Sequence, residues 1–309
     1  MSDAKRKYNA LAVATAELPI FMQPWWLDAV VENNAWDVAL IEEAKEIKAC
    51  FVYVLKKKGP FTAIGIPTLT PYLGFWFDAK VNPVAAAEQL ISMLPRHDKF
   101  YMKMHYEASN TPLSMPGFRK EPLYTYTLSN TNDHDSLYSN FKSNLKGKIR
   151  QANGALTIVE SNDVNKLYDL CQMSFTRQNK EADFSLNLVQ RIYNAVSSRG
   201  CGTILMVKDQ EDKVHAATLV VWDQNCAYYL INGLDPAFRP SGGGSLLMWE
   251  VIKHASQFCD TFDFEGSMIP GVEAFIKGFG AKKRDYFLYT KTNSKVIGAV
   301  EGFKKRIRR

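Results

Sequence analysis

The stretch that most constrains this chain is a run of three glycines placed where a strand gives way to a helix. It reads Asp235-Pro-Ala-Phe-Arg-Pro-Ser-Gly-Gly-Gly-Ser-Leu-Leu247. Ahead of it, Cys226-Ala-Tyr-Tyr-Leu-Ile-Asn-Gly233 is rich in aromatic and β-branched side chains, as strands are. Beyond it, Leu247, Val251, Ala255 and Phe258 recur at helical spacing. A helix start leaves N–H groups unpaired, and glycines let an anion approach the backbone. Arg239, just before the turn, adds a fixed positive charge suited to phosphate. The chemistry is that of a diphosphate cradle; the plain alternative is a loop or a helix cap.

The spacing Arg239-x-x-Gly242-x-Gly244 resembles the arginine/glutamine-x-x-glycine-x-glycine motif of the GNAT acyltransferases. That resemblance implies that Arg239, Gly242, Gly243, Gly244 and Ser245 bind the pyrophosphate of acetyl-coenzyme A or another acyl-coenzyme A. The following segments agree with it: a short strand Thr261 to Phe264, a short helix within Val272 to Gly280, and a last strand from Lys282 to Thr290. Asp263-Phe-Glu-Gly-Ser267 and Phe275-Ile-Lys-Gly-Phe-Gly280 resemble signatures of the Fem-like branch, which includes peptidoglycan-bridge aminoacyltransferases and their acetyltransferase relatives. Its lysine falls at Lys277. Lys142 to Ala152, with Arg150, resembles the basic helix that opens that branch's second domain. The match spans most of 135–290, and the amino-terminal half agrees in layout only.

The resemblance implies an α/β fold with a mixed sheet, in two tandem GNAT-like domains. The expected boundaries are 1–130 for a first domain without a cofactor site, 131–292 for the acyltransferase domain, and 293–309 for a basic amphipathic helix. At 309 residues, 46% hydrophobic and 12% aromatic, the chain can fill two ordinary cores. The start is polar, and Leu11 to Ala14 is too short for a secretory segment. The longest uncharged stretch, Gly59 to Phe77, is broken by Pro60, Pro67 and Pro71 and makes a poor spanning helix. Five cysteines show no paired spacing and five histidines no metal motif, so free thiols, a reducing cytoplasm and no metal are expected.

Strands and helices interleave through the first half. Pro24 to Val31 reads as a helix, Trp36–Ile41, Ala49–Leu55 and Phe61–Ile66 as strands, with a charged turn at Glu42 to Lys48. Asn82 caps a helix to Leu94, and Lys99–Met104 and Leu123–Leu128 are strand-like. Between them Pro67 to Phe77 is an aromatic loop: Tyr72 and Trp76 either line an acceptor cleft or plug a seam. A helix starting at Asn132 to Asp135 reaches about Gln151, its Lys142, Lys146 and Arg150 forming one stripe. That stripe is either a solvated face or, through Arg150, a phosphate contact. Two more helices, Asp163–Gln178 and Ser185–Ser198, lead into strands at Thr203–Val207 and Val214–Trp222.

Acyl transfer to an amine needs an oriented donor, an unprotonated acceptor and a place for oxyanion charge. Asp263 and Glu265 stand two residues apart, on one face of their strand, and Glu265 is the preferred base. Glu265 as a turn cap is the alternative. Lys277 is placed at the substrate phosphate or reacting carbonyl by the Fem-like match, or is a plain surface lysine. Tyr229 can donate to a leaving thiolate, and His215 is a lone histidine.

The expected activity is N-acyl transfer from acyl-coenzyme A to a small-molecule or cell-wall precursor amine. A Fem-like transfer from aminoacyl-tRNA to a peptidoglycan precursor stands second. A non-catalytic ligand-binding or membrane-docking protein stands third. Residues 294–309 carry +5 of the net +6, so the body is nearly neutral, which disfavours tRNA and DNA. Val296, Val300, Phe303 and Ile307 line one face of that tail, which suits contact with an anionic membrane at its inner face.

Overall fold

The structure is a computed structural model that describes residues 2–300, apart from 16, 107–114 and 267–268. In chain order its elements begin with α1 Asp3–Ala14, α2 Pro24–Val30, β1 Trp36–Glu43, β2 Glu46–Lys58, β3 Phe61–Gly65, β4 Phe75–Phe77, α3 Pro83–Ser92 and β5 Lys99–Met104. Next come β6 Arg119–Ser129, α4 His134–Asn140, α5 Ser143–Asn153, β7 Thr157–Ser161, α6 Val164–Thr176 and α7 Leu186–Ser197. The last are β8 Gly202–Lys208, β9 Val214–Trp222, β10 Ala227–Leu234, α8 Gly243–Ala255, β11 Thr261–Asp263, α9 Pro270–Lys277 and β12 Lys282–Thr292.

The chain forms two compact units, Met1–Tyr124 with Asp285–Arg309, and Thr125–Arg284. The last strand was expected to close the second domain. It groups with the first instead, because β12 pairs with β5 from Phe287↔Met104 to Thr292↔Lys99.

In the first unit the sheet order is β1-β2-β3-β5-β12, with β4 added to β2. The β1–β2 hairpin is tighter than the expected charged turn: Ala44 and Lys45, both at positive φ (50 and 70), turn it in two residues. The strongest burial is in the middle of β2, where Phe51 packs on Phe75 (4.5 Å between centroids) and Phe100 (6.0 Å). The aromatic loop is partly strand, since β4 pairs with Ala49–Phe51.

In the second unit the order is β6-β11-β10-β9-β8-β7. The strands of both units are mixed in the same way. Each holds one parallel pair, β3–β5 or β10–β11, matched over only two residues and joined by a crossover that contains a helix. The two crossover helices start differently. In α3 the Asn82 side chain already takes the N–H groups of Val84 and Ala85, and Pro83 has none to give. In α8 the start is glycine.

The single helix expected from Asn132 to Gln151 is two, α4 and α5. Phe141 and Lys142 between them are extended, because Phe141 inserts against Trp249 and Phe279 while the Lys142 N–H donates to the Gly278 carbonyl (2.9 Å). The tail is helical over 295–300, with Val296 and Val300 exposed; Phe303, Ile307 and the terminal cations lie outside the described residues. Among the described residues, no helix is long and apolar enough to cross a membrane.

Candidate active site

The parallel strands β10 and β11 pair only at Ala227↔Phe262 and Tyr228↔Asp263. Past that point β10 continues on β9 alone, and β11 ends. Tyr229, Leu230, Asn232, Gly233 and Leu234 from one side of this fork, and Phe264, Glu265 and Gly266 from the other, line one cavity of about 870 Å³. All of its lining belongs to the unit Thr125–Arg284. The ladder to β9 slips between Tyr229 and Ile231, so Leu230 is a bulge residue inside the cavity wall. A bulge residue's backbone groups stand out of the ladder.

Gly233 explains how α6 closes this end. A Cβ there would lie 2.3 Å from the Cys171 nitrogen and 2.3 Å from the Leu170 carbonyl carbon, so α6 rests directly on the strand backbone. Ser174 on the same helix accepts the Leu234 N–H (3.0 Å). The cavity-lining residues Phe175, Arg177, Gln178 and Lys180 follow from that contact.

The glycines of the cradle have separate roles. Gly242 has φ 76 and caps α8; a Cβ on it would meet the Lys148 carbonyl oxygen at 2.9 Å, so α5 abuts the loop. Gly243 is buried against Leu156 and Val207 and is not in the cavity lining. Gly244, with only Leu234 near its absent Cβ, does line it. The Gly243 N–H donates to Ser241 Oγ, and those of Ser245 and Leu246 donate to the Gly242 carbonyl. That leaves the Gly244 N–H of the first turn for a ligand. Arg239 and Ser245 line the cavity too. This helix start therefore fits a diphosphate, through Gly244, Ser245 and Arg239 rather than through all three glycines.

Charge supports an anionic ligand. The lining carries five cations, Lys142, Lys148, Arg177, Lys180 and Arg239, against one carboxylate, Glu265. Each of the five is exposed, and none makes an ion pair among the described residues. Arg150 is not among them. It sits five residues from the buried Leu145, on the outer side of α5, while Lys148 flanks the buried face.

Asp263 and Glu265 are not an exposed pair of carboxylates. Asp263 is fully buried; its Oδ1 accepts the Thr125 hydroxyl (2.5 Å) and the Glu265 N–H (2.7 Å). It shapes the turn that presents Glu265, whose φ of 56 is followed by 49 at Gly266. Tyr229 lines the cavity, and burial pushes its phenol up to about 12, offset in part by a hydrogen bond with Thr218. It is neutral and able to donate. Lys277 lies outside the lining. Its ammonium holds Glu273 (2.8 Å), which also accepts the Tyr126 hydroxyl (2.6 Å). These bonds lower the Glu273 carboxyl and raise the Lys277 ammonium. In the first unit Tyr72 is buried edge-on against His105 and Tyr286, and Trp76 lines a separate surface hollow with Lys7, Leu11 and Ile47.

Residues 139–275 match the family described as Acetyltransferase (GNAT) domain. That stretch is similar to a GNAT domain. No curated protein matches it in sequence. Its fold is Fem-like: FemX superposes with a TM-score of 0.72 at 14% identity, covering 97% of this chain and 98% of that one. A C-terminal domain assigned as a lysylphosphatidylglycerol synthetase in Agrobacterium fabrum is similar at TM-score 0.56 and 12% identity, covering 97% and 96%. A tandem GNAT protein from the clavulanic acid biosynthesis pathway, solved without AcCoA, is similar at 0.51 and 11%, covering 84% and 83%. The GNAT match takes in the cavity's α5, the glycine loop and most of α9, and ends before Lys277.

Proposed function

We propose that the GNAT domain transfers an acyl group from an acyl-coenzyme A to an amine acceptor. The observation that carries this reading is the cavity itself: a glycine helix start, five uncompensated cations, one carboxylate and a bulged strand share one space. Arg239, Lys148 and the Gly244 N–H hold the diphosphate of the donor. The bulge at Leu230 offers a backbone donor to the thioester oxygen as negative charge grows on it. Glu265, directly or through a water it holds, takes the proton that the attacking amine must lose. Tyr229 returns a proton to the departing thiolate. The acceptor is a small-molecule or cell-wall precursor amine, in keeping with the envelope-linked name of one fold relative.

A second reading keeps the same acyl transfer but takes an aminoacyl-tRNA as donor. It is favoured by Lys142, Arg177 and Lys180, three cations beyond the two given to the diphosphate. Calorimetry separates the two. Micromolar binding of coenzyme A that is lost in Gly244→Asp, where a carboxylate enters the cradle, is the expected result. No binding of coenzyme A, with binding of charged tRNA, would shift the donor to the second reading.

A further inference from the structure

Behind the glycine loop runs a hydrogen-bonded chain outside the cavity lining. His215, at the start of β9, is 4% exposed and stacks on Phe238 with centroids 4.0 Å apart and planes 4° apart. Its Nε2 lies 3.1 Å from Asp209 Oδ2, and its Nδ1 3.0 Å from Ser241 Oγ. Ser241 Oγ in turn accepts the Gly243 N–H (3.1 Å). The same histidine accepts the Asp235 N–H at its carbonyl (2.9 Å), so both ends of the loop 235–243 are tied to it.

The proton positions follow from the partners. An ionised carboxylate only accepts, so Nε2 carries hydrogen; with a single hydrogen on the ring, Nδ1 accepts the Ser241 hydroxyl. Ser241 keeps its lone pairs for Gly243. Asp209 is itself fixed, because its other oxygen takes the Glu211 and Lys213 N–H groups of the β8–β9 turn. Burial alone would raise this carboxyl, but the bonds from His215 and from those N–H groups hold it below its ordinary value. Ser241 does not act as a nucleophile in this arrangement: it lies outside the lining and its oxygen is already engaged.

We propose that Asp209 and His215 are positioning residues for the anion loop: Asp209 sets the imidazole tautomer, His215 sets the Ser241 hydroxyl, and Ser241 sets the first N–H of α8. The consequence for binding rests on the coenzyme A reading above; the geometric part does not.

Two measurements test it. In calorimetry with coenzyme A, Ser241→Ala and His215→Phe should each weaken binding roughly three- to tenfold, as for one hydrogen bond net of solvent. The double variant should be no weaker than the worse single one, because both cut the same chain. Ser241→Thr, which keeps the hydroxyl, should bind as wild type. In hydrogen exchange, the Gly243 amide should lose protection by a similar factor in both variants, while the Ile192 amide in α7 is unchanged. Additive losses, an unrescued threonine variant, or equal loss of protection at Gly243 and Ile192 would reduce the chain to general stability and overturn the proposal. Should wild type bind no coenzyme A, the donor reading fails, and Gly243 exchange alone decides for or against the positioning role. Ser241 is half-buried, so its alanine variant keeps the test open if His215→Phe does not fold.

Discussion

Tyr228 and Asp263 are the last partners of the parallel strands β10 and β11, and the cavity opens one residue beyond them. Asp263 causes the divergence. Its carboxylate takes the Glu265 N–H, so the chain turns through Glu265 and Gly266 instead of continuing beside Tyr229.

Asp263→Ala should therefore be among the more damaging changes in the chain. It removes the acceptor of both the Thr125 hydroxyl and the Glu265 N–H at a site with no solvent access. A loss of about 2–4 kcal/mol is expected. Urea denaturation of this variant beside Asp263→Asn, which keeps an acceptor oxygen and should lose less, checks the assignment.

Gly233→Ala tests the seat of α6. The new methyl would overlap backbone atoms of Leu170 and Cys171 rather than a side chain that can turn away. Overpacking of this kind costs about 1–3 kcal/mol. Unchanged stability would mean that the helix lies further from the strand than described.

Lys148→Ala and Arg239→Ala should each lower coenzyme A affinity about tenfold, the scale of one charge-assisted bond. Both should flatten its salt dependence, whereas Arg150→Ala leaves both quantities alone. Titrations at two ionic strengths distinguish the cavity cations from the outer stripe of α5.

Glu265→Gln should reduce turnover by two orders of magnitude or so, within the range for a general base. The acidic limb of the pH–rate profile should vanish with it. Equal turnover at every pH would remove Glu265 from the chemistry and leave it as a turn residue.

The first unit should weaken in mild acid. Burial lowers the His105 imidazole from 6.5 to about 4. A depressed histidine keeps its full contribution above the unfolded value and loses it as pH falls toward the folded one. Between pH 7 and pH 4 up to about 3 kcal/mol should go. Thermal melts across that range, repeated on His105→Gln, should show the slope in the wild type only.

Much of this was legible in sequence because local chemistry speaks directly there. Asn82, Asp163 and Ser185 each cap the helix that they announced. The turn from strand to helix showed in the glycines between them. What could not be read depends on contacts distant along the chain. The break at Phe141 comes from Trp249 and Phe279, more than a hundred residues away, so one helical pattern hid two helices. Lys148 was passed over for Arg150 because the stripe was chosen by its four-residue spacing and by its likeness to the Fem-like helix; the buried set Leu145, Ile149 and Ala152 shows which flank faces inward. Strand β7 is a half-exposed edge, and α1 has only Lys5 and Tyr8 buried, so neither shows a strong apolar period. The duty of Gly233 was invisible, since nothing near it in sequence names its neighbours on α6.

Five cations gathered round one carboxylate repel one another unless an anion stands between them. The cavity is thus a place where solvent composition acts as a ligand. Phosphate, pyrophosphate or citrate in a buffer will raise the melting temperature by occupying it, and will compete with any nucleotide-bearing substrate at the same concentrations. A protein handled in phosphate would look both sturdier and less active than the same protein in a buffer of zwitterions.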